Sequence, residues 1–99
     1  MIAFAHAKIQ PARRAVFFKA LPAFIATTRA EAGCIAYDFC ESVDEANHSV
    51  TIERWRDRAT ADAHMAAPHL QAFLALAASC AAEAPSIEAV ETANLERVL

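Results

Sequence analysis

No stripe of lysine or arginine runs through this chain. The formal net charge is −3 and the pI near 5.7, and the arginines at Arg13-Arg14 and between Arg54 and Arg58 are sparse and interleaved with acids. Phosphate neutralisation needs a concentrated basic surface, so a nucleic-acid partner is not expected. No apolar run reaches membrane-spanning length, and Met1 to Lys8 lacks a basic region followed by a long apolar one. That pattern predicts a cytoplasmic protein with no membrane partner. Three cysteines, Cys34, Cys40 and Cys80, are an odd number with no C-x-x-C spacing. Neither a disulfide framework nor a zinc knuckle follows, and buried free thiols are the simpler expectation.

What remains is an apolar, alanine-rich chain of 99 residues, enough for one domain over 1–99. A lone domain of that size buries a modest share of its surface, so association with a partner would help it. The large core-formers, six Phe and one Trp among them, have to be used economically.

Met1 to Ile9 alternates as a strand, with Ile2, Phe4, His6 and Lys8 on one face and Ala3, Ala5, Ala7 and Ile9 on the other. Pro11 suits a first helical turn. From Ala12 to about Ala30, Val16, Phe17, Ala20, Leu21, Phe24 and Ile25 recur at helical spacing. Pro22 interrupts that pattern, and the lost backbone bond predicts a kink or short break. Gly33, the only glycine, falls where the helix must end in positive φ. Cys34 to Glu41 alternates with Ile35, Tyr37 and Phe39 on one face. The polar run Ser42 to Ser49 reads as a hairpin connection, and Val50 to Trp55 as the next strand with Thr51, Glu53 and Trp55 together. Asp57 is placed to cap a short helix that Pro68 ends. A second helical segment, His69 to about Glu83, presents Leu70, Phe73, Leu74 and Ala77, and Ser86 to Thr92 reads as a last strand.

The order β-α-β-β-α-β predicts an α+β fold: a ferredoxin-like split βαβ arrangement with an antiparallel sheet and its helices on one face. The other sheet face carries apolar residues too, so a second copy is expected to cover it, making a homodimer. The tail, 93–99, holds Leu95, Val98 and Leu99, too apolar to hang free, and is expected to join the dimer contact.

Chemistry concentrates between Glu53 and Phe73. With Glu31-Ala32-Gly33-Cys34-Ile35-Ala36-Tyr37, then Glu53-Arg54-Trp55, Asp57, His64, Pro68-His69 and Phe73, nearly the whole chain resembles the antibiotic biosynthesis monooxygenase family. The resemblance implies a dimeric α/β barrel and oxygenation, without any cofactor, of a quinol or related electron-rich aromatic by O₂. Other members of that family resemble isomerases of small phosphorylated signalling sugars or haem-degrading enzymes. The haem branch uses an Asn, a Trp and a His where this chain has Ala7, His64 and Leu74, so haem degradation is not implied.

On this reading His64 is the catalytic base, since imidazole titrates near neutral pH. Trp55 is the catalytic N–H donor to a substrate oxygen, with plain core as its other use. Tyr37, His69 and Phe73 shape the substrate pocket, though aromatic residues at such spacings also serve as core. His69 opens a helical segment, where the dipole disfavours its protonated form. His64 and His69 stand five apart across a proline with no Asp or Glu at ligand spacing, so no metal is expected. Glu53, Arg54 and Asp57 read as an ion-pair network between strand end and helix start. His6 faces either the pocket or a dimer seam. An isomerase of a small hydroxyketone working through His64 and His69, or a ligand-binding module without turnover, would use the same residues.

Overall fold

The computed structural model describes residues 1–99. Its elements are β1 (Ile2–Lys8), a 3₁₀ turn (Pro11–Arg13), α1 (Arg14–Arg29), β2 (Cys34–Glu41), β3 (His48–Trp55), α2 (Arg58–Ala66), α3 (Pro68–Cys80) and β4 (Ser86–Val90). The sheet order is β2-β3-β1-β4 and every pairing is antiparallel. Because β1 and β2 both run against β3, they are parallel to one another with β3 between them. The expected α+β, ferredoxin-like split βαβ arrangement is therefore present.

The helices cover one sheet face. Ala3, Ala5 and Ala7 of β1, Ser49, Thr51 and Glu53 of β3, and Tyr37 and Phe39 of β2 look toward them, as the cross-strand register requires. The small β1 side chains leave room above the strand, and Phe17, Leu21 and Phe24 from α1 with Leu70, Phe73 and Ala77 from α3 close over it. Phe73 stacks on both Phe17 and Phe24, at ring-centroid distances of 5.4 and 4.1 Å, and so joins the two parts of the core.

Local signals account for most element ends. Gly33 has φ +80°, and a Cβ there would sit 2.5 Å from Thr60. The same glycine's carbonyl accepts the Arg56 N–H at 2.7 Å, which docks the start of β2 on the entry to α2. Asp57 caps α2: its Oδ1 accepts the Thr60 N–H at 2.9 Å, while Thr60 Oγ1 accepts the Asp57 N–H at 3.4 Å. Pro68 ends α2 and opens α3.

Several expectations are corrected. No break occurs at Pro22; α1 runs through it unbroken, because Pro22 lies on the exposed face, where water can serve the carbonyl left without a partner. Val16 also faces out, 39% exposed. The register of β2 slips between Cys34 and Ala36, so Cys34 turns toward Phe24, Tyr37 and Leu70 while Ile35 points to solvent. Only Cys80 of the three free cysteines is buried, and Cys40 is exposed. Glu53 and Asp57 do not share a network, since Glu53 turns inward and Asp57 is spent on the helix cap and on Arg56. β3 starts two residues early, α3 stops at Cys80 and β4 at Val90. The tail is exposed along its length, Leu95 by 54% and Val98 and Leu99 nearly completely.

Gly33→Ala should therefore destabilise the fold by about 2–4 kcal/mol, the left-handed backbone and the Thr60 clash acting together. Denaturant unfolding of the variant beside Asp57→Ala, which loses only a cap worth about 1 kcal/mol, checks the order of the two effects.

Candidate functional site

Between sheet and helices lies a cavity of about 290 Å³, apolar on its helix side and polar on its floor. Phe17, Leu21, Phe24, Leu70, Phe73, Leu74 and Ala77 make the roof. The floor holds Ser49, Thr51 and Glu53, successive inward residues of β3, each at most 7% exposed. Pro85, Ser86 and Ile87 stand at its rim. No lysine or arginine lines it.

His64 enters from α2 with a side chain only 2% exposed. Its Nδ1 is 2.6 Å from Glu31 Oε2, and its Nε2 is 3.9 Å from Glu53 Oε1. A carboxylate can only accept, so the short contact places the imidazole proton on Nδ1 and leaves Nε2 bare in the neutral ring. Trp55 stacks on the imidazole at 4.7 Å and Tyr37 meets it edge-on at 5.9 Å, which fixes the ring plane. The Glu31 carboxylate is held at the end of α1 by a tight turn, with the Glu31 N–H on the Thr28 carbonyl and the Cys34 N–H on the Glu31 carbonyl.

Of the five residues expected at the site, His64, Tyr37 and Phe73 line the cavity. Trp55 does not. Its indole N–H donates to Glu53 Oε1 at 3.0 Å, and the ring stacks on His64 outside the cavity lining. His69 also stands off the wall, with Nε2 3.3 Å from both Thr28 Oγ1 and Glu31 Oε2. His6 borders the cavity edge but projects from the outer sheet face with Phe4, its ring centroid 6.4 Å from that of His48.

Four more residues gather here, Glu31, Ser49, Thr51 and Glu53, the last of them read from the sequence as part of an ion-pair network. Glu31 is contributed by tertiary structure, 33 residues from His64, and only the turn around Gly33 could hint at its direction. The Ser49-Thr51-Glu53 alternation is a visible signal: three polar residues on a strand face that the helices cover. Glu53 is buried, and desolvation pushes its carboxyl above the ordinary 4.5, against the pull of the Trp55 N–H and the neighbouring imidazole. Burial likewise pushes the Tyr37 phenol up, with the Glu53 charge adding to it, so Tyr37 keeps its proton across the physiological range. The grounds for expecting no metal are also altered, because Glu31 supplies the carboxylate that joins His64 and His69.

Comparison with known proteins follows the same lines. The model of the antibiotic biosynthesis monooxygenase family matches residues 1–76. A Bacillus subtilis protein named "Putative monooxygenase YcnE" is 35% identical over 71 residues, 72% of this chain and 75% of that one. The Synechocystis protein sll1783 is 36% identical over 67 residues, 68% of this chain and 46% of its own length, so the chain spans about half of that relative. The solved structure of Rv0793 from Mycobacterium tuberculosis superposes with a TM-score of 0.79 at 31% identity, covering 94% of this chain and 97% of that one.

The raised Glu53 carboxyl sets a pH dependence. The folded state holds this proton more tightly than the unfolded one, so the contribution of Glu53 to stability falls as pH rises from about 4.5 through its higher folded value. Glu53→Gln keeps the Trp55 acceptor without the charge. Its stability relative to the natural protein should increase across that window and level off above it, as denaturant unfolding from pH 4 to 8 would measure.

Proposed function

The chain belongs to the antibiotic biosynthesis monooxygenase family, and from that premise we propose that it oxygenates a neutral quinol or other electron-rich phenol with O₂ and no cofactor. The observation that carries this reading is the Glu31–His64 contact, which leaves a bare imidazole nitrogen beside a cavity walled by aromatic rings. His64 Nε2 takes the proton of the substrate hydroxyl. The imidazolium that results stands between the carboxyls of Glu31 and Glu53, and a charge formed there is stabilised as it appears. Tyr37, which retains its O–H, replaces Trp55 as donor to the substrate oxyanion.

The substrate anion passes one electron to O₂, and the carbon radical and superoxide combine to form the C–O bond of a peroxide. Loss of water from that peroxide leaves a new carbonyl, so one oxygen atom enters product and the other leaves as water. The apolar roof keeps solvent from the anion and the radical pair. The absence of lysine and arginine from the wall favours an uncharged substrate over a phosphorylated one, and the withdrawal of His69 from the cavity disfavours an isomerase that shuttles protons between two imidazoles.

A second copy of the chain completes the molecule on this reading. The outer sheet face exposes Phe4 and Ile52 side by side, each 37% exposed, with Val90 on the same face opposite Ile2, and the apolar tail is uncovered. Stacking two such faces would give the dimeric barrel, with 93–99 contributing to the contact.

Purified protein should consume O₂ and convert members of a quinol panel in air, and equal turnover under nitrogen would end the proposal. His64→Ala should lower kcat/KM by roughly 10²–10⁴, as loss of a positioned base does. Trp55→Phe should lower it less. Sedimentation equilibrium at micromolar concentration should give twice the chain mass, and Phe4→Glu with Ile52→Glu should halve it; a natural chain that sediments as single copies would remove the dimer.

A further inference from the structure

We infer that Glu31, His64 and His69 form a binding site for a first-row divalent cation such as zinc, set at one end of the cavity. The three side chains each offer one donor atom, and these atoms lie within 4.8 Å of one another. They come from three elements: the turn after α1, the last turn of α2 and the first turn of α3. Two imidazole nitrogens and one carboxylate oxygen are a donor set that zinc and its neighbours in the first row accept, leaving a position for water.

Glu31 Oε2 already bridges both rings, at 2.6 Å from His64 Nδ1 and 3.3 Å from His69 Nε2. Donors bound to one tetrahedral ion at its usual bond lengths sit roughly 3.3 Å apart, so the ion is admitted by opening the 2.6 Å contact and bringing the two imidazole nitrogens, which lie within 4.8 Å, to that spacing. Thr28 Oγ1, wholly buried and 3.3 Å from His69 Nε2, is a neutral oxygen on the same spot.

Two further features favour an ion over a plain hydrogen-bonded cluster. A histidine that binds metal generally gives its other N–H to a carboxylate, and His64 Nε2 faces Glu53 at 3.9 Å, with Glu53 itself held by the Trp55 N–H. Neither Glu31 nor Glu53 is paired with any lysine or arginine, so the only cation beside these two largely buried carboxyls is an imidazole that must first take up a proton. A dication supplies the missing positive charge. The ion takes Nδ1 and the ring proton moves to Nε2, so the metal-bound state and the proton-abstracting state of His64 exclude each other.

Calorimetric titration of chelator-treated protein with zinc chloride, and the visible spectrum of the cobalt(II) form, test the site without any turnover. One zinc per chain is expected, the single ring proton of His64 moving from Nδ1 to Nε2 as the ion takes Nδ1. His69→Ala, or His69→Gln should the first fail to fold, should weaken binding by at least about tenfold, the scale seen even for outer partners of a metal site, and Glu31→Gln should do the same. His48→Ala, on the outer sheet face, should leave it unchanged. An absence of saturable zinc uptake would overturn the inference. So would uptake that survives His69→Ala or is lost with His48→Ala. Because the readout is binding, any of these results leaves the oxygenation reading standing or falling on its own test.

Discussion

The short contact between Glu31 and the His64 imidazole governs the rest of the site. It spans 33 residues and ties the turn that ends α1 to the last turn of α2. A buried imidazole without such a partner would turn over between tautomers, and its chemistry would be undefined. With the carboxylate fixed by the backbone turn at Thr28 and Cys34, one nitrogen is committed and the other is free. Trp55 and Tyr37 then hold the ring plane from two sides, so orientation and tautomer are set by separate groups.

The floor of the cavity shows what this arrangement costs. Ser49, Thr51 and Glu53 occupy positions that a stability-minded strand would give to valine or isoleucine, and burying the Glu53 carboxyl is unfavourable enough to raise its proton affinity. Part of that cost is offset by the indole N–H, and every fully enclosed side-chain nitrogen or oxygen has a partner. The hollow exists because β1 contributes alanines at two positions of its wall, Ala5 and Ala7, where larger residues would fill the space beneath the α1 and α3 rings.

Much of the fold could be read directly. Alternation in β1 and β3, the single glycine at the turn, the Asp57 cap and Pro68 each have a local physical cause, and each lies where that cause puts it. Pro22 misleads because the cost of a helical proline depends on whether the freed carbonyl meets water, which burial decides and local sequence does not. Ile35 misleads because a bulge of one residue reverses which side chains face in, and nothing in Cys34-Ile35-Ala36 marks it. At the site, His64, Tyr37 and Phe73 were legible from type and spacing. Trp55 lies on the expected strand face, where the acceptor two residues earlier on the same face takes its N–H. Glu31 could not be found, because no spacing along the chain relates it to either histidine.

The proline between the two histidines explains how they meet at all. On an unbroken α-helix, residues five apart are rotated by roughly 140° about the axis, and His64 and His69 would leave on nearly opposite sides. Ala67 is extended instead, at φ −67° and ψ 136°, and the chain turns a corner between α2 and α3. The two rings come to 5.9 Å, and both reach the same carboxylate oxygen. The helix break is thus part of the site's construction as much as of the fold's, since a continuous helix here would separate the imidazoles and leave Glu31 able to reach only one of them.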